Sequence, residues 1–474
     1  MGIVGKIIGN VAAWRKSRTV TIAVAGLSGS GKTAFITSVI LNREAAARNS
    51  AAAQWLNGLE VVDTERLQSA EQPPNYKPTH GRMFPLSDML ANLTAAKPRW
   101  PTRTANIYEV AIDLRFWPGR RPQRTDAPTA RLRFVFVDYP GEWLVDVPLL
   151  DQTYAEWSKA ALSRLERKPW SDISQGFCEL LKTTTWTAND QNELARNAAL
   201  EWQKILFAAQ SRGLKWLQPG QFVRRRDQAD DGAAPALDEE PLWFCPLPEA
   251  AITEAKKGSL AHAMAGRYAA YRKEVGVFFE HTLKNASHHL LLVDVLEALA
   301  EGENAFFETA EILAEVYRVF ANRKSGFWNL FNRTGFEKVL LLATKADAVP
   351  PNQRAALKSL LAEMCKRRVA GAAGIAPPSA QYMAAIRATE DVKVTGDDGD
   401  KFRAVQGLCD DGQVRRVISV DIPAEMPKPD YFRRREGQRT PRFRLPPTEG
   451  GGRYGIPNVR VGQVVNDLVG DLLQ

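Results

Sequence analysis

Apolar residues in this chain gather into short runs, and each run stops at a glycine or a polar cluster. The first is Thr19-Val-Thr-Ile-Ala-Val-Ala-Gly26. A nearly continuous apolar stretch of this length predicts a strand covered on both faces, the habit of parallel sheets. It leads into a glycine-rich turn and then an apolar helix from Lys32. Runs at 107–116 and 131–137 flank the turn-rich Trp117-Pro-Gly-Arg-Arg-Pro-Gln and predict a hairpin-like pair. From about 150 to 285 the pattern becomes helical and rich in Ala, Leu, Trp and Arg. Within it, the polar stretch 224–240 predicts an exposed loop. Strand patterns return at 289–293 and 338–343, with a helix around 305–321 between them. A strand at 381–386, an acidic turn at 395–400, a strand-like run at 416–422 and an amphipathic helix over 464–473 complete the chain.

Strands alternating with helices imply an α/β fold with a doubly wound, mostly parallel sheet. The helical stretch 150–285 then reads as a large insertion between two of its strands. Composition changes this picture little. The 474 residues, 45% hydrophobic and 25% charged, suffice for two or three domains of roughly 100–200 residues. Cys178, Cys245, Cys365 and Cys409 are widely spaced, which argues against a zinc site or a disulfide framework and fits a reducing cytoplasm. A net charge of +9 permits contact with anionic lipid or nucleic acid but demands neither.

No apolar window approaches the ~18 residues of a membrane span, and no secretory leader is expected. Residues 1–18 admit two readings. Ile3, Ile7 and Val11 recur beside Val4, Ile8 and Ala12, with Arg15, Lys16 and Arg18 following. Such a helix could lie on the inner face of a membrane. The preferred reading docks it on the protein's own core. Gly2 starts a myristoylation-like sequence, but Lys6 stands where Ser or Thr is needed.

Three strand ends carry the chemistry. Gly26-Leu-Ser-Gly-Ser-Gly31-Lys32-Thr33 is a full G-x-x-x-x-G-K-[ST]. Its glycines let the backbone wrap a phosphate, and the following helix turns its positive end to the same anion. Gly26, Ser28, Gly29, Ser30, Gly31, Lys32, Thr33 and Ala34 form the candidate phosphate-binding set. Lys32 would reach the β- and γ-phosphates, and the Thr33 hydroxyl would ligate Mg²⁺. Next, Phe134-Val-Phe-Val ends in Asp138, a buried strand presenting a carboxylate for Mg²⁺. Gly141 follows three residues later, where switch GTPases set a backbone N–H against the γ-phosphate. Finally, Leu340-Leu-Leu-Ala leads into Thr344, Lys345 and Asp347. In this Thr-Lys-x-Asp pattern the carboxylate accepts from guanine's N1–H and 2-amine, while the Lys stem covers the purine face. Adenine offers a lone pair at N1 and no 2-amine, so such a site rejects it.

With these motifs in this order, the chain resembles the YcjX-like family of bacterial P-loop proteins, which are Ras-like GTP-binding proteins linked to stress responses. The resemblance rests on Gly26-Leu-Ser-Gly-Ser-Gly-Lys-Thr-Ala-Phe-Ile-Thr-Ser38, Asp138-Tyr-Pro-Gly-Glu-Trp143 and Leu292-Val-Asp294. It continues through Ala343-Thr-Lys-Ala-Asp347, Ala385-Ile-Arg-Ala-Thr389, Val459-Arg-Val and Gly470-Asp471-Leu. It implies a P-loop NTPase of the Ras-like kind, with a helical region inserted in the GTPase domain. The chain divides accordingly into an N-terminal helix (1–18), the first part of the GTPase domain (19–149), the helical insertion (150–285), and the second part with a C-terminal extension (286–474). Where Ras-like proteins have Ser-Ala-Lys against the guanine oxygen, this chain has Ala385, Ile386 and Arg387. Backbone contact from Ala385 and Ile386 is expected to survive that change, since it does not depend on the side chains.

The candidate catalytic set is Lys32, Thr104, Gly141 and Glu142, and the candidate metal ligands are Thr33, Thr104 and Asp138. Thr102 competes with Thr104 for the switch-I role, and Arg99 and Arg103 stand beside them as candidate arginine fingers. Glu142 occupies the place where Ras-like enzymes orient water with Gln. The expected ligands are GTP or GDP with Mg²⁺, and the helical insertion is expected to meet a protein partner. The arginine runs 224–226 and 433–435 read as solvated loops. Two alternatives stay open: an ATP-binding P-loop NTPase, and a nucleotide-dependent scaffold that does not hydrolyse.

Overall fold

The computed structural model describes residues 18–27, 29–48, 56–101, 106–124, 126–224, 242–283, 285–322, 336–369, 377–395, 400–435, 439–448 and 455–474. Residues 1–17, most of the polar stretch 224–240, Ser28, and Thr102, Arg103 and Thr104 therefore lie outside the described residues.

The chain forms an α/β structure around one mixed, mostly parallel sheet. Its strands are β1 (Arg18–Gly26), β2 (Leu67–Glu71), β3 (Arg82–Met83), β4 (Tyr108–Phe116), β5 (Ala130–Asp138), β6 (Ala286–Val293), β7 (Lys338–Ala343) and β8 (Ser379–Tyr382), in the order β2-β4-β5-β1-β6-β7-β8. β1 pairs in parallel with β5 on one side and β6 on the other. β7 and β8 extend the parallel array, while β4 returns antiparallel to β5 from the hairpin expected there. The short β3 also pairs with β4.

The apolar runs divide between two cores with the period of two that a pleated strand imposes. Ile22 and Val24, Leu290 and Leu292, and Leu340 and Leu342 face one side. There they meet Phe35, Ile36 and Ile40 of α1 (Lys32–Arg48) and Val464 and Leu468 of the C-terminal helix Val461–Val469. Ala23 and Ala25, Leu291 and Val293, and Leu341 and Ala343 face the other side. Their core is continuous with Trp157, Trp202, Tyr271 and Phe279 of the helices between β5 and β6, and with helices Glu303–Ala321 and Arg354–Val369. Those intervening helices are α2 (Tyr154–Leu165), α3 (Gln175–Thr183), α4 (Asn192–Ser211) and α5 (Leu260–Leu283), with shorter turns among them. α2 starts on a capping box: the Thr153 hydroxyl accepts from Glu156 N, and Glu156 accepts from Thr153 N at 2.7 Å.

Several elements depart from the sequence reading. The strand expected at 381–386 stops at Tyr382, because Ala384 leaves the sheet to exchange backbone hydrogen bonds with Val459 of the tail (3.1 and 2.9 Å). The strand expected at 416–422 is Val414–Val417, the last of a separate antiparallel sheet with β9 (Glu390–Thr395) and β10 (Lys401–Leu408). The final helix covers 461–469 and tightens into a 3₁₀ turn, Gly470–Leu472. That tail is tied into the domain: Arg66, buried, donates to the Leu473 carbonyl at 2.9 Å, and Asn42 accepts from Ile456 N at 3.0 Å.

Candidate functional site

β1, β5, β6, β7 and β8 run the same way, so their carboxyl ends share one edge of the sheet. The strand order reverses direction at β1, and open α/β sheets place their clefts at such a point. The carboxyl ends at Gly26, Asp138, Val293, Ala343 and Tyr382 and the described residues that follow them therefore open onto the same edge, and these carry Lys32, Thr33, Asp138, Gly141 and Asp347.

At the centre, Gly29 and Gly31 adopt positive φ (79° and 88°), a backbone that L side chains rarely take. Gly31's carbonyl accepts from Phe35 N at 2.9 Å as α1 begins. Lys32 is buried, and its ammonium donates to the Gly26 carbonyl at 2.9 Å, folded back over the loop that precedes it. The Thr33 hydroxyl donates to Asp138 Oδ2 at 3.4 Å, and Asp138 is fully buried. Ala34 and Ser30 are buried as well. A hydroxyl and a carboxylate thus lie side by side at the mouth of a glycine loop that ends in a buried lysine. Their hard oxygens suit Mg²⁺, which takes one or two protein ligands and fills its shell with phosphate and water. Among the described residues, no group of three or more His, Cys, Asp or Glu gathers as a metal cage.

Gly141 closes this edge. A Cβ there would sit 2.2 Å from the Gly26 carbonyl oxygen, so the segment after Asp138 lies directly against the glycine loop. From Gly141 the chain winds as a buried 3₁₀ run to Asp151. Glu142 is half-buried within it. Tyr108, the first residue of β4, pairs with Asp138.

The same segment is gripped from the helical side, which the sequence did not reveal. The Tyr139 hydroxyl and His289 Nε2 lie 2.9 Å apart in the core. Burial drops the imidazole to about 3 and lifts the phenol well above its ordinary range, so both stay neutral. Trp143 stacks on Phe278 of α5, with centroids 3.8 Å apart and planes 4° from parallel. Asp146, fully buried, accepts from Gly220 N (2.9 and 3.1 Å) and from the Tyr271 hydroxyl of α5 (2.5 Å). A Cβ on Gly220 would lie 2.1 Å from the Glu142 carbonyl oxygen.

At the far end of the edge, Lys345 adopts φ 58° and pairs with Asp294, which also caps helix Val295–Ala300. Thr344 N donates to the Val293 carbonyl at 3.0 Å. Asp347 is buried, and its Oδ2 accepts from Ala388 N at 2.8 Å, while Thr389 donates to its carbonyl at 2.6 Å. Burial raises the Asp347 carboxyl above its usual value, opposed by the Ala388 N–H and by Arg354 and Arg387. Ala385 and Ile386 lie buried in the same loop. Asp294, Ala388 and Thr389 thus join the site as unassigned members. The side chains had a motif neighbour as a signal, but a backbone N–H leaves none.

Comparison with known proteins agrees with the resemblance. The model of the YcjX-like family matches residues 20–473. The chain is 32% identical to a protein of Escherichia coli K12 named Ras-like GTPase YcjX, over 96% of each chain. It is 29% identical to a protein of the same name from Shewanella oneidensis MR-1, over 96% of this chain and 95% of that one.

The Asp146 contact makes a prediction. Burial raises its carboxyl from 3.8 to about 7, against the hydrogen bonds from Tyr271 and Gly220, with Glu274 raising it further. The folded state holds the extra proton between those values, so stability falls as pH rises from about 4 to about 7 and is level above. The full difference is on the order of 4 kcal/mol. Asp146→Asn keeps an acceptor for Gly220 and removes the charge. Its melting temperature is expected to decline less than the wild type's over that range, and to exceed wild type at about pH 8. Parallel melting profiles for the two proteins would overturn this account.

Proposed function

From a chain that belongs to the YcjX-like family, we propose a guanine-nucleotide-binding protein of the Ras-like P-loop kind that hydrolyses GTP slowly and acts as a nucleotide-controlled switch. The observation that carries the proposal is the convergence on one sheet edge of the Gly26–Thr33 loop, Asp138 beside Thr33, and Gly141 against Gly26. The two relatives named as Ras-like GTPases support it.

In this reading the loop and Lys32 take the phosphates, and swinging Lys32 from the Gly26 carbonyl to the phosphates replaces one acceptor by a stronger, charged one. Thr33 and Asp138 would hold Mg²⁺, which neutralises phosphate charge when bound. Gly141 offers its N–H to the γ-phosphate. Asp347 reads the base: each carboxylate oxygen has two lone pairs, so Oδ2 can keep Ala388 N–H while the group accepts from guanine. Lys345, held by Asp294, covers the purine. Ala385 and Ile386 offer backbone to the base, and Thr104 or Thr102 supplies the switch-I hydroxyl. The helices of 150–285 are the partner-binding part of the proposal, because Trp143 and Asp146 join the segment beside the γ-phosphate site to α5. A cytoplasmic location completes it, with peripheral membrane contact as the alternative role for residues 1–18.

Lys32→Ala is expected to abolish measurable GTP binding in calorimetric titration while the fold persists, since a buried polyphosphate needs counter-charge. Affinity within a few-fold of wild type would remove the phosphate assignment.

Asp347→Asn sets an amide N–H against guanine's own N–H. Competition binding is expected to show weaker GTP and stronger xanthosine triphosphate. Equal wild-type affinity for ATP and GTP would hand the site to the ATP-binding alternative.

Turnover follows from Glu142. An ionised carboxylate accepts but cannot donate, and it is repelled by the γ-phosphate, so it is poorly suited to orient water. Single-turnover hydrolysis by the isolated protein is expected below ~1 s⁻¹, in the unassisted regime. Glu142→Gln is expected to retain activity. Complete loss in that variant would make Glu142 the general base instead.

A further inference from the structure

Asp391 is the second residue of β9, in the small antiparallel sheet, and its carboxylate spans two arginines. Oδ1 accepts from Arg354 Nη2 at 2.6 Å, and Oδ2 pairs with Arg387 Nη2 at 2.9 Å. Each arginine is fixed a second time beside Asp347. Arg354, buried at the head of helix Arg354–Val369, donates through Nε to the carbonyls of Ala346 (3.0 Å) and Val349 (2.9 Å). These two residues bracket Asp347 in the chain. Arg387 donates through Nε to the Thr389 carbonyl at 2.8 Å, and the Thr389 hydroxyl returns to the Asp347 carbonyl. The turn that carries Asp347 and the loop that donates Ala388 N–H to it come from different strand ends. Asp391 is the acceptor common to both arginines.

We propose that Asp391 is a positioning residue for base recognition: by clamping Arg354 and Arg387 it holds the Asp347 turn and the 385–389 loop in register, and so sets selectivity for the 2-amino group of guanine. This rests on the guanine reading of Asp347 and adds the residue that fixes its geometry. Both arginines also favour the ionised carboxylate, the state that accepts two N–H donors from guanine. Asparagine at 391 would present an amide N–H to one guanidinium, releasing that arm while the other remains.

The test compares GTP, inosine triphosphate, which lacks the 2-amine, ATP and inorganic tripolyphosphate on the full chain, by calorimetry with Mg²⁺. Asp391→Asn is expected to weaken GTP roughly ten-fold, the scale of one lost charge-assisted hydrogen bond, and to bring the GTP-to-inosine-triphosphate ratio toward one. Tripolyphosphate affinity should stay within about two-fold, and Asp391→Glu should recover part of the ratio. Arg387→Gln, which cuts the other side of the clamp, should reproduce the lost selectivity and serves if Asp391→Asn does not fold. An unchanged ratio in either folded variant, or a parallel loss of tripolyphosphate, would overturn the positioning role and leave Asp391 as a structural link. Wild-type protein that binds ATP as well as GTP would instead sink the guanine reading beneath it.

Discussion

Two parallel strands cannot be joined by a tight turn; the chain must leave one end of the sheet and travel back to the other before it can pair again. β5 and β6 both lie parallel to β1, so the stretch from residue 139 to 285 is obliged to make that return. It starts at the carboxyl edge beside the glycine loop and ends at the amino edge where Ala286 begins β6. The helices in this stretch cover one face of the sheet and share its core, which explains why Ala23 and Ala25, small residues, line that face of β1. The site and the helical region are therefore consecutive in chain and in space. The first residues to leave Asp138 are the ones that close against Gly26.

This geometry converts a local change into a wider one. Gly141 has no room for a side chain against Gly26, and Gly220 has none against Glu142. Packed backbones of this kind cannot shift independently, because close-packed interiors transmit displacement. Tyr139 and Trp143 both contact Phe278, so the two ends of the short segment bear on the same turn of α5. Asp146 then ties that segment to Gly220 and Tyr271. A movement at Gly141 has apolar stacking and a buried carboxylate as its two mechanical outlets, both leading into the helices.

What was legible in the sequence follows burial. β1, β5 and β7 announced themselves because each carries an apolar run covered on both faces, and a polar residue at the end of such a run stands out. The helix after Lys32 and the β4–β5 hairpin were equally readable. β2 and β3 were not: Leu67-Gln-Ser-Ala-Glu is a half-buried edge, and Arg82-Met83 is exposed. β9 carries a period-two signal in Val392 and Val394, but Glu390, Asp391, Lys393 and Thr395 around it are exposed, and charge masked the alternation. Of the edge residues, motif spacing named Lys32, Thr33, Asp138, Gly141 and Asp347. Asp294 and Ala388 lay inside the segments that carry the family resemblance without a role of their own, and Asp391 went unnamed because Arg354, one of its two partners, comes from a distant part of the chain.

Buried polar groups carry a cost, and the fold accepts part of it at the carboxyl edge of the sheet. Away from it, Leu290, Leu291 and Leu292 of β6 and Leu340, Leu341 and Leu342 of β7 are buried, where roughly 25 cal/mol per Å² of apolar burial stabilises without any partner requirement. At the edge, Lys32, Asp138, Asp146 and Asp347 are all buried and ionisable. Each desolvated charge is unfavourable unless hydrogen bonds restore what water supplied. The raised carboxyls of Asp146 and Asp347 show that the restoration is incomplete, despite N–H donors at 2.8–3.1 Å. A fold selected for stability alone would put apolar residues in those places. Buried ionisable groups at strand ends are instead what a site for a charged ligand can use, because the ligand's own donors and charge complete hydrogen bonding that the protein leaves short. Backbone that holds such groups has hydrogen bonding to gain on binding, which is the condition for a ligand to shift its conformation.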